Sequence, residues 1–129
     1  MMTRTVLIVD DDENIGVALR YLMEGQGYDV RIARDGDEAL SIVERAPPDL
    51  ILLDVNMPKR DGYDVCQTLR GNPIWQSIKI IMLSAKGRDI DVEKALALGA
   101  DAYLTKPFST RDLTAKVRAM LESAESDDG

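Results

Sequence analysis

Residues 50–58 read Leu-Ile-Leu-Leu-Asp-Val-Asn-Met-Pro, a short apolar run that ends in an acidic residue and a proline-containing loop. Two further runs, Thr5–Val9 and residues 78–83, are apolar along nearly their whole length. Nearly continuous apolar runs of this length are typical of parallel strands that are covered on both faces. We therefore predict that these three segments are the interior strands of one sheet.

Two other segments have the weaker pattern of edge strands. Asp29–Ala33 alternates apolar and polar side chains, and Ala102–Thr105 is short and mixed. Between the five strands, apolar residues recur at the three-to-four-residue step that gives a helix one buried face. The predicted buried positions are Ile15, Ala18, Leu19, Leu22 and Met23; Ala39, Leu40 and Val43; Val65, Cys66 and Leu69; Val92, Ala95 and Leu96; and Leu113, Val117 and Met120 or Leu121. Three glycines, Gly25, Gly71 and Gly99, mark predicted helix ends.

The alternation of strands and helices predicts the order of the sheet. A strand followed by a helix and another strand favours parallel pairing through a right-handed crossover. With the first, third and fourth strands inside and the second and fifth at the edges, the simplest order is 2-1-3-4-5. This is the order of the flavodoxin-like α/β fold, a three-layer (βα)5 sandwich, in which ligands bind at the carboxyl ends of the first and third strands.

Composition narrows the classes of function. The chain has 129 residues, 45% of them hydrophobic, and 16 basic against 23 acidic residues give a net charge of −7. We expect one folded domain over residues 3–121 and an acidic tail or linker over residues 122–129. An acidic balance argues against nucleic-acid binding by this domain, and no apolar run approaches the roughly 18 residues that a membrane span needs.

Histidine and cysteine are informative by their scarcity. The sequence has no histidine, which excludes histidine-based catalytic triads, histidine-ligated metal sites and a phosphohistidine on this chain. Cys66 is the single cysteine, so no intramolecular disulfide can form. A reducing, cytoplasmic location is the corresponding expectation.

Acidic side chains follow the two strands whose ends should line the ligand crevice. Asp10, Asp11 and Asp12 come after the first strand, and Asp54 ends the third. Any one of them could simply cap a helix or start a turn. Asp10, Asp11 and Asp54 together, however, would raise one another's pKa unless a cation joined them. All-oxygen ligands favour Mg²⁺ over a softer metal, so we predict a Mg²⁺ site at this edge.

The fourth and fifth strands add phosphate-binding groups at the same edge. The hydroxyl of Ser84 and the backbone N–H of Ala85 follow the fourth strand, and the ammonium of Lys106 follows the fifth. Hydrogen-bond donors and a cation of this kind bind phosphate oxygens. Ser84 alone could equally be a turn residue, and Lys106 alone a solvated lysine. Beside three carboxylates, Lys106 has at least a charge-balancing role.

Four motifs at these strand ends resemble a known family. IVDDDE (8–13), LLDVNMP (52–58), MLSAKG (82–87) and LGADAYLTKPF (98–108) are similar to the receiver domain of bacterial two-component response regulators. The resemblance implies that Asp54 is the phosphoacceptor and Lys106 the partner of the phosphoryl oxygens. It also implies that Asp11 binds Mg²⁺ directly and Asp10 mainly through water.

The resemblance assigns further roles. Asp54 and the backbone carbonyl of Asn56 are the other Mg²⁺ ligands that the resemblance implies. Ser84 is the switch hydroxyl, Tyr103 is the switch aromatic, and the peptide bond between Lys106 and Pro107 is expected to be cis, which proline permits at low cost. A sensor histidine kinase or phosphotransfer protein supplies the phosphoryl group, and the domain assists its own phosphorylation and dephosphorylation. A downstream protein then binds the surface formed by the fourth helix, the fifth strand and the fifth helix.

Other classes remain as alternatives. A haloacid-dehalogenase-type phosphatase also uses an aspartate nucleophile and Mg²⁺, but it needs a second acid two residues later, where this chain has Asn56. A flavin-binding module would need glycine and hydroxyl residues in the acidic loop after the first strand. Within the receiver family, we favour a stand-alone regulator, and a receiver that precedes an output domain is the alternative.

One departure from a subgroup of receivers bears on output. Receivers joined to winged-helix DNA-binding domains typically form dimers through ion pairs that include an arginine on the fourth helix and a second acid before the switch tyrosine. Val92 and Ala102 occupy these positions here. We therefore predict an apolar patch for a partner protein, and a domain that stays monomeric when activated.

Overall fold

The computed structural model describes residues 3–128, and the side chains of residues 3–122. Its strands are β1 (Thr5–Val9), β2 (Asp29–Ala33), β3 (Leu50–Asp54), β4 (Lys79–Ser84) and β5 (Ala102–Thr105). The α-helices are α1 (Glu13–Gly25), α2 (Gly36–Arg45), α3 (Gly62–Arg70), α4 (Asp89–Ala97) and α5 (Thr110–Asp128), with a 3-10 turn at Pro73–Trp75 before β4. The strands pair in parallel in the order β2-β1-β3-β4-β5. The predicted flavodoxin-like fold is confirmed.

The sheet has a hydrophobic layer on each face. Successive residues of a strand point to opposite faces, and β1 divides accordingly. Val6 and Ile8 belong to the core that α1 and α5 cover, whereas Leu7 and Val9 belong to the core that α2, α3 and α4 cover. The interior strands are therefore apolar on both faces, which explains their continuous apolar sequence.

Short polar side chains cap the first turns of α1 and α5. Asp12 caps α1 by accepting the Asn14 N–H at 2.9 Å, and Ser109 Oγ accepts the Asp112 N–H at 3.0 Å at the start of α5. At the end of α1, Gly25 is still helical, and the residue with positive φ is Gly27 at 92°. The helix therefore ends at Gly25, as predicted, and the left-handed backbone follows two residues later.

Two positions that were predicted to be buried are exposed. Ala18 on α1 is exposed because the buried stripe of that helix runs through Gly16, Leu19 and Met23. Leu96 on α4 is 48% exposed. The inward positions of α4 are instead Asp91 and Ala95. Pairing with Arg88 at 2.9 and 3.2 Å allows the acidic Asp91 to occupy a position that a hydrophobic pattern would assign elsewhere.

The predicted apolar patch is also corrected. Ala102 is buried against the core under α1 and α5, so it does not belong to an exposed surface, and Val92 is half-buried. The exposed apolar side chains of α4 are Ile90 and Leu96. The apolar surface of this region therefore lies on α4 rather than between α4 and β5.

Helix α5 extends further than the sequence pattern suggests. Its backbone is helical to Asp128, so residues 122–128, predicted as a tail or linker, continue the helix. No glycine or proline interrupts residues 110–128, and Ala and Glu favour helix. The domain boundary at residue 121 stays a prediction. None of the described helices is long and apolar enough to cross a membrane.

Candidate functional site

The carboxylates that follow β1 and β3 come together in space. The strands pair in register with Val9 opposite Leu53, which brings the two strand ends to one edge of the sheet. Carboxylate oxygens of Asp10, Asp11 and Asp54 lie within 4.8 Å of one another. Asp10 and Asp54 are buried, whereas Asp11 is exposed. The acidic cluster therefore has two buried members and one open to solvent.

Lys106 enters the cluster from β5. Its Nζ lies 3.3 Å from Asp10 Oδ2 and 3.3 Å from Asp54 Oδ1. The ammonium group thus bridges the two buried carboxylates. One positive charge nevertheless faces three negative charges when all four groups are ionised.

Backbone N–H groups fix the orientation of the buried acids. Asp10 Oδ1 accepts the Asp12 N–H at 2.9 Å, and Asp54 Oδ1 accepts the Asn56 N–H at 3.4 Å. The carboxylate of Asp12, in contrast, caps α1. The run of three aspartates therefore contains two residues of the cluster and one structural cap.

The electrostatics of the cluster follow from burial and crowding. Burial, and then repulsion by Asp10, raise the pKa of Asp54, and the attraction of Lys106 only partly opposes them. For Lys106, burial disfavours the charge, but the attraction of Asp54 and Asp10 outweighs it and raises the pKa. A buried carboxylate with a raised pKa among other acids is a suitable ligand for a divalent cation. The donor set is all oxygen, and it fits Mg²⁺.

Ser84 is the last residue of β4, which pairs with β3, the strand that ends at Asp54. Asp54 pairs with Leu83 in the sheet, so Ser84 lies one residue further along the adjacent strand. Its side chain is buried, and its Oγ accepts the Lys86 N–H at 3.1 Å. Ala85 follows as the first exposed residue of the loop to α4. Ser84 and Ala85 therefore lie at the same edge of the sheet as the acidic cluster, as expected from the sequence.

Tyr103 is half-buried on β5, and its hydroxyl donates a hydrogen bond to the Lys86 carbonyl. The loop after Ser84 thus contacts Ser84 through the Lys86 N–H and Tyr103 through the Lys86 carbonyl. The peptide bond between Lys106 and Pro107 is cis, as expected.

Sequence reasoning missed the surroundings of Tyr103. Tyr63 on α3 is a neighbour of Tyr103, and burial, followed by the proximity of Tyr103, raises the pKa of Tyr63. The Lys94 ammonium of α4 lies 4.2 Å from the centre of the Tyr63 ring. These three residues come from separate elements and share no motif, so no local signal could have joined them.

Comparisons with known proteins agree with this geometry. A sequence model of the response regulator receiver domain matches residues 6–118. The alkaline phosphatase synthesis transcriptional regulatory protein PhoP of Bacillus subtilis is 48% identical over 124 residues, which are 96% of this chain and 51% of that protein. The chain therefore spans about half the length of this relative.

Solved structures match over nearly the whole chain. Chemotaxis protein CheY4 of Vibrio cholerae is 31% identical, with a TM-score of 0.88 over 93% of this chain and 100% of that one. The receiver domain of a Francisella response regulator is 33% identical, with a TM-score of 0.88 over 94% of this chain and 98% of that one. Sequence, fold and the acidic edge agree, and the chain belongs to the receiver domain family of two-component response regulators, whose members are phosphorylated on an aspartate.

Proposed function

We propose that Asp54 is the aspartate that receives the phosphoryl group. The observation that carries this assignment is the position of Asp54 at the end of a central strand, buried and bonded to Lys106. Both carboxylate oxygens of Asp10 are engaged, Oδ1 by the Asp12 N–H and Oδ2 by Lys106, whereas Lys106 and the Asn56 N–H both bond to Oδ1 of Asp54. Asp11 is exposed and has no contact with Lys106 among the described ion pairs. Asp54 therefore combines nucleophile and cationic partner best.

The transfer is an exchange of one P–N bond for one P–O bond. An Oδ atom of Asp54 attacks the phosphorus of a phosphohistidine on the partner, and the imidazole nitrogen leaves with its bonding electrons. The product is an acyl phosphate on Asp54. Negative charge spreads over the phosphoryl oxygens in the transition state. The Lys106 ammonium, the Ser84 hydroxyl and the Ala85 N–H stabilise that charge.

We assign the metal to the acidic side of the same crevice. Asp11 and Asp54 would hold it directly through their carboxylates, the backbone carbonyl of Asn56 would be a third ligand, and Asp10 would act through water. Bound Mg²⁺ supplies positive charge to the carboxylates and to the phosphoryl oxygens. The grouping of Asp10, Asp11 and Asp54 within 4.8 Å supports this assignment.

The same groups allow the domain to assist its own chemistry. Small phosphodonors react with Asp54 when cationic groups are already placed to bind the phosphoryl oxygens. Hydrolysis of the acyl phosphate passes through a similar transition state. We therefore expect phosphorylation by acetyl phosphate without a kinase, and slow self-dephosphorylation. The domain is a phosphorylatable switch rather than an enzyme with a separate substrate.

Ser84 and Tyr103 connect the site to the outer surface. A phosphoryl group on Asp54 offers a new acceptor to the Ser84 hydroxyl. Ser84 and Tyr103 both contact Lys86, so movement of Ser84 changes the support of Tyr103. A shift between two arrangements of the loop after β4 then alters the surface of α4, β5 and α5.

We propose that this surface signals by contact with a downstream protein and that the domain itself does not bind nucleic acid. We place the exchange in the cytoplasm, where the buried thiol of Cys66 stays reduced. Exposed Ile90 and Leu96 on α4 supply apolar contact area. Sedimentation velocity with and without beryllofluoride tests the output mode: we expect a monomer in both, and a shift to a dimer would contradict this.

The haloacid-dehalogenase alternative is disfavoured. Its second acid would stand two residues after the nucleophile, and Asn56 stands there. Membership of the receiver family also favours a stable phosphoryl adduct over turnover.

Intact mass spectrometry after incubation with acetyl phosphate and Mg²⁺ tests the acceptor. We expect a single phosphoryl adduct on the parent protein and none on Asp54→Asn, because an amide is a poor nucleophile. Asp49→Asn is the matched control. Asp49 precedes the same strand at its other end, where its carboxylate accepts the Thr5 N–H at 2.7 Å, and this variant should be phosphorylated normally. Undiminished phosphorylation of Asp54→Asn would show that the acceptor is another residue.

A further inference from the structure

Gly62, the first residue of α3, lies directly against the backbone of the acceptor residue. A Cβ atom on Gly62 would lie 2.5 Å from the carbonyl oxygen of Asp54 and 2.9 Å from the Cα of Val55. Both neighbours are backbone atoms, so neither can rotate away. Any residue other than glycine must therefore move the Asp54–Val55 peptide or the start of α3 by at least 0.5 Å, which restores 3.0 Å.

Hydrogen bonds tie Gly62 to the same peptide. The Gly62 N–H donates to the Val55 carbonyl at 2.9 Å, and the Val55 N–H donates to the Leu83 carbonyl of β4 at 3.0 Å. The start of α3, the residue after Asp54 and the end of β4 thus form one connected unit. Movement of α3 at Gly62 would be transmitted to both strands that line the site.

The loop between Asp54 and Gly62 has little freedom to absorb such a movement. The Arg60 N–H donates to the Pro58 carbonyl at 2.7 Å, and Lys59 between them has a positive φ of 67°. A tight turn with this backbone angle is already strained. The Asn56 N–H, near the start of the loop, is bonded to Asp54 Oδ1. Displacement at Gly62 therefore reaches Asn56 and the Asp54 carboxylate.

We propose that Gly62 is a positioning residue for the phosphoacceptor and its metal. The absence of a side chain lets α3 pack on the Asp54–Val55 peptide, and this contact sets the Asp54 carboxylate and the Asn56 carbonyl relative to Asp10 and Asp11. The inference rests on the function proposed for Asp54. Misplacement of a reacting group by about 1 Å can cost about 100-fold in rate, and loss of support for metal ligands typically costs about 10- to 100-fold in affinity.

Gly36 offers a closely matched control. It is the first residue of α2, as Gly62 is of α3, and each follows an aspartate cap, Asp35 or Asp61. A Cβ on Gly36 would lie 2.8 Å from Val65 Cγ2 and 3.0 Å from Arg60 Cδ, which are side-chain atoms. Gly36→Ala therefore introduces the same atom at the same helix position, also under compression, but not against the backbone of the site.

The test measures Mg²⁺ affinity by calorimetry and the initial rate of phosphorylation by acetyl phosphate at saturating Mg²⁺, for Gly62→Ala and Gly36→Ala. We expect Gly62→Ala to lose about 10- to 100-fold in metal affinity and a comparable factor in rate, and Gly36→Ala to stay near the parent. In metal-free protein, the Asn56 amide resonance should shift in Gly62→Ala only. Equal behaviour of the two variants would overturn the inference.

A second pair of variants covers the case in which Gly62→Ala does not fold. Asp61→Ala removes the cap that accepts the Asp64 N–H at 2.9 Å, and Asp35→Ala removes the cap that accepts the Glu38 N–H at 2.8 Å. Neither adds an atom. We expect Asp61→Ala alone to weaken Mg²⁺ binding, and equal affinities would overturn the inference. Failure of the parent protein to be phosphorylated on Asp54 would instead overturn the proposed function.

Discussion

Charged groups gather at both edges of the sheet, and the two clusters differ in balance. At the edge where the strands begin, Arg70 donates to Asp101 at 2.9 Å and to the Gly99 carbonyl at 2.8 Å. Asp101 Oδ2 also accepts the Ile80 N–H at 2.8 Å. One cation and one anion meet there, and each also forms hydrogen bonds with backbone groups. This cluster ties the end of α3 to the starts of β4 and β5.

At the edge where the strands end, three carboxylates face one ammonium. Among the described residues of this cluster, no second cation balances the excess of negative charge. The comparison indicates that a balanced cluster holds a structure together, whereas an unbalanced one is prepared for a cation and a phosphoryl group. Removal of a charge should therefore affect stability at one edge and chemistry at the other.

Removal of the cation at the site should produce the largest effect. In Lys106→Met the phosphoryl oxygens lose their ammonium partner, and loss of one such donor costs about 100- to 1000-fold in rate. Stopped-flow phosphorylation with acetyl phosphate and Mg²⁺ would measure this. Arg70→Met is the matched control, since it also replaces a bridging cation with methionine. A rate near that of the parent for Lys106→Met would mean that the cation at the site is only structural.

Removal of an acid at the site should produce the second largest effect, a loss of metal affinity. Asp11→Ala deletes a proposed direct ligand, so we expect Mg²⁺ affinity to fall at least about 10-fold. The neighbouring Asp12→Ala removes only the cap of α1, which should cost about 1 kcal/mol of stability and leave affinity near that of the parent. Calorimetric titration of both variants would separate ligand from cap. Equal affinities would contradict the ligand assignment and the division of roles within the acidic run.

Removal of the cation at the opposite edge should affect stability instead. Arg70 and Asp101 side chains are 16% and 29% exposed, so the pair is partly screened by water. In Arg70→Met, Asp101 and the Gly99 carbonyl lose a charged donor, and we expect a loss of about 1–3 kcal/mol in the free energy of unfolding. Urea denaturation would measure it. A phosphorylation rate far below that of the parent would show that the two edges are coupled.

The two edges also differ in how well the sequence predicts them. The acids and Lys106 at the site follow strands whose apolar runs are evident, so strand order alone brings them together. The Arg70 cluster depends on backbone carbonyls distant in sequence, and burial of Asp91 depends on Arg88; neither is visible in a hydrophobic pattern. The role of Gly62 is likewise hidden, because a close backbone approach leaves only the presence of a glycine in the sequence.

The imbalance of charge at the site is measurable through the titration of Asp54. Burial and repulsion by Asp10 raise the pKa of Asp54 above its ordinary value of 3.8. Between that value and the raised pKa, the folded protein binds more protons at Asp54 than the unfolded chain does. The free energy of unfolding therefore falls as pH rises through this window. The neutral side chain of Asp54→Asn has no such titration.

Metal-free Asp54→Asn should consequently be more stable than the parent at neutral pH, by less than the Arg70→Met effect. The difference should shrink as the pH falls through the window and disappear below the ordinary pKa of aspartate, where both side chains are neutral. Urea denaturation of both proteins in chelator, across a range of pH, would measure it. Mg²⁺ should narrow the gap by stabilising the parent, which has the ionised ligand. If the parent were the more stable protein at neutral pH without metal, Lys106 would already balance the acids, and the two edges would not differ in kind.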